Sequence, residues 1–358
     1  MKLGFFTMPM HPTGKDWCTS LAEDRATFQL ADELGFVEGY VGEHATDPEE
    51  NITSAAMFLA TLVDSTKTIR LGTGTINMPN QHPAAIAGHL AMLDHLLGGR
   101  LIFGISPGAL PSDAEVFGNI DLPRPAMFLE SINHVLALWA GQPPYDLKGT
   151  YWNISTARTH LPETGMGTIP LPLQRPHPPI VVTAVAPFSQ GITEAAARGW
   201  EPISANFLYP KWVKTHWGKY VEGCARGNRP ADPANWRVAK TVFVADDDAA
   251  AAAYATGSDG PYYYYYRSLF KKLQRRGALG VFKDDPKQSD ESVTLEQVIE
   301  KLVIHGTPAR VADKIHSLQE QTGAFGTLLY AGVDWKDKIR ARRSMVLMAE
   351  QVMPLLNA

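Results

Sequence analysis

The chain has 358 residues, 45% of them hydrophobic and 20% charged, with a formal net charge of −4. That composition supports a large core and excludes a disordered chain. The mild acidity gives no basis for nucleic acid or an anionic membrane as partner. With only Cys18 and Cys224, a disulfide framework and a CxxC metal motif are both excluded. The first residues turn polar by His11, too early for a signal peptide, and no run nears the ~18 apolar residues of a membrane helix. The expectation is a soluble, cytoplasmic protein.

A short apolar run followed by a longer helical segment recurs along the chain. Leu3–Phe6 reads as a strand, and Ser20–Leu34 as a helix closed by Gly35. Phe36–Gly42 is the second strand, Ile52–Val63 a helix and Ile69–Ile76 the third strand. A helix opens at Pro83 and stops at Gly98-Gly99, before the fourth strand Leu101–Ile105. Met127–Trp139 is helical, and Ile180–Thr183 is the fifth strand, followed by the helix Gln190–Arg198. Pro202–Ala205 and Arg237–Ala245 are the sixth and seventh strands, separated by the helix Lys211–Ala225. Gly326–Tyr330 is the eighth, with Ile339–Leu355 as closing helix.

Strands alternating with helices imply a parallel sheet covered on both faces. Eight such units suit a closed barrel, in which no edge strand is left unpaired. The expected fold is therefore α/β, a (β/α)8 TIM barrel forming one domain over residues 1–358. Two segments break the rhythm, at about 141–178 and 259–292. The second holds the run Tyr262–Tyr266, then a polar stretch punctuated by Gly277, Gly280 and Pro286. Both are expected as lids at the C-terminal face, where barrels of this type carry their sites.

Glu43-His44 ends the second strand, at the catalytic mouth of such a barrel. His44 is the candidate catalytic group, against the plainer reading of a histidine held by a neighbouring carboxylate. Because strand side chains alternate, Glu43 is expected to be a structural partner of the wall. No HExxH spacing joins His11, His44, His82, His89 and His95, so no metal is expected. Gly72-Thr73-Gly74 lacks the third glycine of a dinucleotide fingerprint, and no helix opens directly after it. Ser189 opens a helix with free N–H groups at its start, which suits an anion, although serine there is also an ordinary cap.

In this order the segments resemble the bacterial-luciferase-like flavin monooxygenases. The likeness rests on Lys2–Phe6, Glu43-His44, Ile69–Pro79 with Gln81-His82-Pro83, Leu93–Leu101 (the family's LDxLSxGR turn), Phe103-Gly104-Ile105 and Gly306–Ala312. Gly42–Ala45, Ser112-Asp113 and Gly260-Pro261-Tyr262 point toward the limonene 1,2-monooxygenase-like and diketocamphane-monooxygenase-like members. The resemblance implies that reduced FMN, delivered by a separate flavin reductase, reacts with O2 to give a C4a-peroxyflavin. That species would oxygenate a hydrophobic, terpene-like or cyclic-ketone-like molecule; FAD and F420 rank behind FMN, and a homodimer is expected.

The same resemblance places His44 at the reacting centre and a non-proline cis peptide at Gly74–Thr75 against the flavin ring. Ser106 stands where luciferase has a reactive cysteine. Ala184, Val185, Phe188, Ser189, Gln190 and Gly191 match the phosphate loop, while Pro107 replaces luciferase's phosphate arginine. Met8, Met78, Trp152, Phe207 and Tyr262 are candidates for the substrate pocket. Two other readings remain: an F420-dependent hydride-transfer enzyme on the same fold, and a flavin-binding barrel without catalysis. The substrate, and the choice among hydroxylation, epoxidation and Baeyer–Villiger insertion, are not legible.

Overall fold

The computed structural model describes residues 1–285, 287–332 and 336–358. Its eight main strands are β1 (Lys2–Thr7), β2 (Glu38–Val41), β3 (Arg70–Thr73), β4 (Leu101–Ser106), β5 (Ile180–Ala184), β6 (Glu201–Ser204), β7 (Arg237–Val244) and β8 (Thr327–Ala331). Helices α1 (Trp17–Glu33), α2 (Ala55–Ala60), α3 (Pro83–Leu96), α4 (Arg124–Ala140), α5 (Gln190–Ala197), α6 (Pro210–Arg226), α7 (Pro308–Thr322) and α8 (Lys338–Leu347) alternate with them. Each strand pairs with its sequence neighbours, β8 returns to β1, and the result is a closed parallel (β/α)8 barrel, as the sequence predicts. Residues 1–39 with 182–358 form one compact unit and residues 40–181 a second.

In the first unit, all eight residues of β7 are buried, the near-continuous apolar signature of a strand covered on both faces. Its one guanidinium is satisfied where it enters. Arg237 donates through Nε to Glu38 Oε1 at 2.6 Å and through Nη2 to Oε2 at 3.0 Å, with Nη1 on Glu201 Oε2 at 2.6 Å. Such a buried fork-to-fork pair is expensive to break from one side. The Val303–Gly306 strand, which pairs with β7, and the helix Leu295–Leu302 before it are additions the sequence reading lacks.

Much of the segment expected as an irregular lid is helical. Pro261–Arg275 is a helix, and Tyr262, Tyr265 and Tyr266, at i, i+3 and i+4, form its buried stripe. Tyr266 Oη lies 2.9 Å from Thr241 Oγ1 of β7, and Tyr265 Oη lies 3.2 Å from both Asn206 Oδ1 and Nδ2. Five tyrosines in a row mask this helix, since the run shows no apolar periodicity. Leu279 and Phe282 are buried further along, and Pro286 lies outside the described residues.

In the second unit the family-like turn proves structural. Asp94, fully buried in α3, accepts from Gln174 N at 2.7 Å and Gln174 Nε2 at 2.8 Å, which anchors the end of segment 141–178. Arg100 donates to Ile69 O at 2.7 Å and to Thr66. Glu130 of α4 accepts three backbone N–H groups, from Thr150, Tyr151 and Trp152, at 2.7–2.8 Å. The first insertion, which also carries the short antiparallel pair Asp146–Leu147 and Ile154–Ser155, is thus pinned by two acids.

Candidate active site

Just past β2, the backbone turns at Glu43-His44, and the two side chains part company as alternation requires. Glu43 is buried and accepts from Ala55 N at 2.9 Å, capping the start of α2, and from Asn77 N at 3.1 Å. Burial pushes its carboxyl up to about 7 against the pull of those two N–H groups. Glu43 is the structural residue of the pair.

A folded-state value above the usual 4.5 means that the stability Glu43 contributes is fully present below about 4.5 and is lost as pH rises through 7. Replacing Glu43 by glutamine puts an amide donor against one of two backbone donors. Stability should fall by ~1–3 kcal/mol in urea unfolding, and the gap to the parent should narrow from pH 4.5 to above 7. A gap that widens with pH would contradict this account.

His44 points the other way, into a carboxylate frame. Its Nδ1 lies 2.9 Å from Asp113 Oδ2, and its Nε2 lies 3.5 Å from Glu50 Oε2. Asp113 sits on the short helix Pro111–Val116 that follows β4. It also accepts from Thr46 Oγ1 at 2.6 Å, Thr46 N at 2.9 Å and Ala45 N at 3.1 Å. Burial raises the Asp113 carboxyl, but the hydrogen bonds from His44 and Thr46 outweigh it and hold it below the usual carboxylate range. An ionised Asp113 accepts only, so Nδ1 carries the proton and Nε2 is the basic nitrogen of the neutral ring.

Beside this frame, Gly74–Thr75 is a non-proline cis peptide, as the sequence reading expects. Thr75 Oγ1 donates to Ser106 Oγ at 2.7 Å, Ser106 Oγ donates to Asn77 Oδ1 at 3.0 Å, and Asn77 Nδ2 donates to Glu43 O at 3.1 Å. Thr75 and Ser106, chosen separately from the sequence, are therefore one hydroxyl chain leading back to the His44 strand. Pro107, at the position of luciferase's arginine, has a cation of its own. Arg124 Nη2 donates to Pro107 O at 2.6 Å, and Nη1 reaches Asn119 and Asn80. Gly108 is required there, with φ +76° and only 2.3 Å between an added Cβ and Arg124 Nη2.

In the first unit, the loop after β5 leaves Val185 and Phe188 exposed, with Phe188 at φ 53°. Phe188 N donates to Thr215 Oγ1 at 2.9 Å. Ser189 caps α5 by position but makes no side-chain capping bond. Gln190 and Gly191 open the helix, where N–H groups lack intrahelical acceptors. His216 of α6 holds this loop: Nε2 lies 2.9 Å from Ala186 O and Nδ1 2.8 Å from Ser204 Oγ. Burial lowers His216 to about 4, so it is neutral and donates from Nε2.

Phe207 and Tyr262 share a hydrophobic cluster with Tyr209, Phe243 and Tyr266. Met78 is fully buried in the second unit, and Trp152 packs on Tyr151 over α4. Met8 is half-buried beyond β1. The sequence reading missed the roles of Asp113, Glu50 and Arg124. Asp113 follows His44 by 69 positions, and no local spacing marks the pair.

A profile of the family described as luciferase-like monooxygenase matches residues 1–324. The chain belongs to that family. As a luciferase-like monooxygenase it is an oxidoreductase, a flavin-dependent monooxygenase. Its relatives include 4-hydroxyprotoasukamycin monooxygenase of Streptomyces nodosus subsp. asukaensis, 31% identical over 364 residues, spanning 100% of this chain and 92% of the relative. Limonene 1,2-monooxygenase of Rhodococcus erythropolis is 28% identical, over 99% of this chain and 86% of that one. Among solved structures, the oxygenating constituent of 3,6-diketocamphane monooxygenase from Pseudomonas putida, a type II Baeyer–Villiger monooxygenase in complex with FMN, superposes with TM-score 0.89. It is 27% identical and covers 99% of this chain and 98% of its own. Among the described residues of this luciferase-like monooxygenase, no helix is long and apolar enough to cross a membrane.

Proposed function

We propose that the enzyme uses reduced FMN and O2 to oxygenate a hydrophobic, terpene-like or cyclic-ketone-like molecule, with His44 moving the proton. The observation that carries the reading is the His44–Asp113 pair, which fixes the ring and tautomer of the imidazole beside a strand end without a side chain at Gly74. The residues present suit an FMN. Gly74 and the Thr75–Ser106 hydroxyls offer close approach and hydrogen bonds to a ring, and the uncapped Ser189 with Gln190 and Gly191 suits a phosphate. Ala184, Val185 and Phe188 supply the backbone and apolar flank of that loop. When bound, the reduced flavin supplies the electrons that activate O2.

The residues of this chain then have separable tasks. Asp113 fixes the ring and tautomer of His44, and Nε2 takes or gives a proton at the substrate oxygen. The oxygenation course expected from the resemblance, and the preference for FMN over FAD or F420, belong to this proposal. So do a separate reductase, in keeping with a relative described as an oxygenating constituent, and one barrel domain bearing both insertions. Met57, Met92 and Leu96 on α2 and α3 are exposed apolar residues that suit a homodimer face. Light scattering should then give twice the chain mass, and Met92→Glu should return it to one chain.

The deciding test is anaerobic titration with reduced FMN followed by a pulse of oxygen. Tight binding of reduced FMN, with oxygen consumed and substrate oxygenated, is the expected result. Reduction of F420 by a substrate without oxygen uptake would overturn the proposal in favour of hydride transfer. Segment 259–292 is proposed as a lid: backbone exchange over residues 276–285 and 287–292 should slow on adding FMN, whereas the packed tyrosine stripe should not change. Equal protection with and without flavin would remove the lid.

A further inference from the structure

A cavity of about 550 Å3 lies in the first unit, bounded by β1, β8, α1 and α8. Phe5, Leu30, Tyr330 and Met345, all buried, line it together with Tyr262. Phe5 and Tyr330 are register partners on adjacent strands, and Phe5 packs edge-on against Phe28 of α1. These rings therefore face outward, and the cavity belongs to the layer between strands and helices. Its size suits a compact hydrocarbon of about ten carbons, within the range of ordinary small-molecule sites.

One polar feature is set into this apolar lining. His11 is 5% exposed, and the Asp24 side chain is 11% exposed. Lys15 Nζ lies 3.1 Å from His11 Nδ1, and His11 Nε2 lies 2.9 Å from Asp24 Oδ1. An ammonium only donates, so Nδ1 accepts, and Nε2 carries the proton it donates to Asp24. Other polar groups of the wall are occupied. Thr7 donates to Gly332 O, Thr27 to Glu23 O, and Tyr330 Oη meets Ser344 Oγ. Asp24 Oδ2 is buried and has no hydrogen-bond partner among the described residues. A buried acceptor left unpaired is costly, and such atoms commonly mark a place where something else binds.

Charge decides what kind of donor fits. Glu23 is paired with both Lys15 and Lys338. Lys15 and Lys338 therefore stand against Glu23 and Asp24, and Arg342, also on the wall, is paired with Glu33. An ammonium ligand would leave an excess positive charge in a site walled by hydrocarbon, whereas a hydroxyl supplies the missing hydrogen bond and no charge.

We propose that this cavity is a second small-molecule site that takes an apolar alcohol. The hydroxyl donates to Asp24 Oδ2, and the hydrocarbon lies against Phe5, Leu30, Tyr330 and Met345. The inference does not depend on the flavin chemistry proposed above, and its test reads binding alone.

Flavin-free protein would be titrated calorimetrically with octan-1-ol, octan-1-amine and octan-2-one. The alcohol is expected to bind saturably, one per chain, and more tightly than the amine or the ketone. Asp24→Ala should weaken it at least tenfold. Ala26→Trp, at an exposed position on the cavity rim, should obstruct it while leaving the melting temperature near the parent's. If Asp24→Ala does not fold, the rim variant and the ligand series carry the test. Absence of saturable alcohol binding, tighter binding of the ketone or amine, or alcohol binding indifferent to the variants would each overturn the site.

Discussion

Replacing His44 with alanine is expected to lower substrate oxygenation by ~10²–10⁴-fold, the usual contribution of a general acid–base group, while reduced FMN binds nearly as before. The separation follows from the hydrogen-bond pattern. Thr75, Ser106 and Asn77 hold one another and the backbone of Glu43, so the strand end offered to the flavin does not depend on the imidazole. His44 contributes only its ring, held at Nδ1 by Asp113. Product formed per reduced flavin, and the flavin dissociation constant, are the two measurements. A His44→Ala enzyme with parental product yield would reduce His44 to a structural histidine satisfied by Asp113. A parallel loss of flavin binding would place it in the cofactor site instead.

How far the sequence carries the reader depends on whether a residue's partner lies nearby in the chain. All eight barrel strands are legible because each is a compact apolar run between turn signals, and observed boundaries differ by only a few positions. The expected Ile69–Ile76 strand is interrupted at the Gly74–Thr75 cis peptide, which the resemblance anticipates. Val303–Gly306 escapes notice because His305 and Gly306 spoil an already short run. The tyrosine helix escapes because five identical residues carry no period, although burial selects Tyr262, Tyr265 and Tyr266 at helical spacing. At the site, His44 and the opposite facing of Glu43 follow from alternation along a strand. Asp113, Glu50 and Arg124 acquire their roles only when the loops after β2, β3 and β4 are folded together, and local spacing holds no trace of that. Asp94 and Arg100 show the converse: a conspicuous motif whose work is to tie loops down.

Asp113→Asn should have the second largest effect, because it tests the frame around the histidine. The carboxylate accepts from four donors: His44 Nδ1, Ala45 N, Thr46 N and Thr46 Oγ1. An amide keeps one oxygen. Two of these donors come from the backbone and cannot turn away, so the oxygen goes to the loop and the NH2 group faces His44 Nδ1. The ring is then driven to the opposite tautomer, with its proton on Nε2, or rotates out of line. The same carboxylate-to-amide exchange behind a catalytic histidine lowers turnover by orders of magnitude, and ~10²–10⁴-fold is expected here.

Stability should respond too, in a definite direction. Asp113 is held below its usual range in the fold, so its contribution is present above the unfolded value of 3.8 and is lost as pH falls through the lower folded one. The asparagine variant should therefore lose stability relative to the parent at neutral pH and converge with it in acid. Reduced stability alone would not distinguish a positioning role from a structural one, so the pH dependence of kcat decides. Without the carboxylate the imidazolium loses its partner, and the limb of the profile that reports the His44 proton should move to lower pH. Asp113→Glu, which keeps the charge, should restore most of the profile. If the folded asparagine variant turns over more slowly but keeps the parental pH profile, Asp113 only braces the loop and the tautomer argument fails.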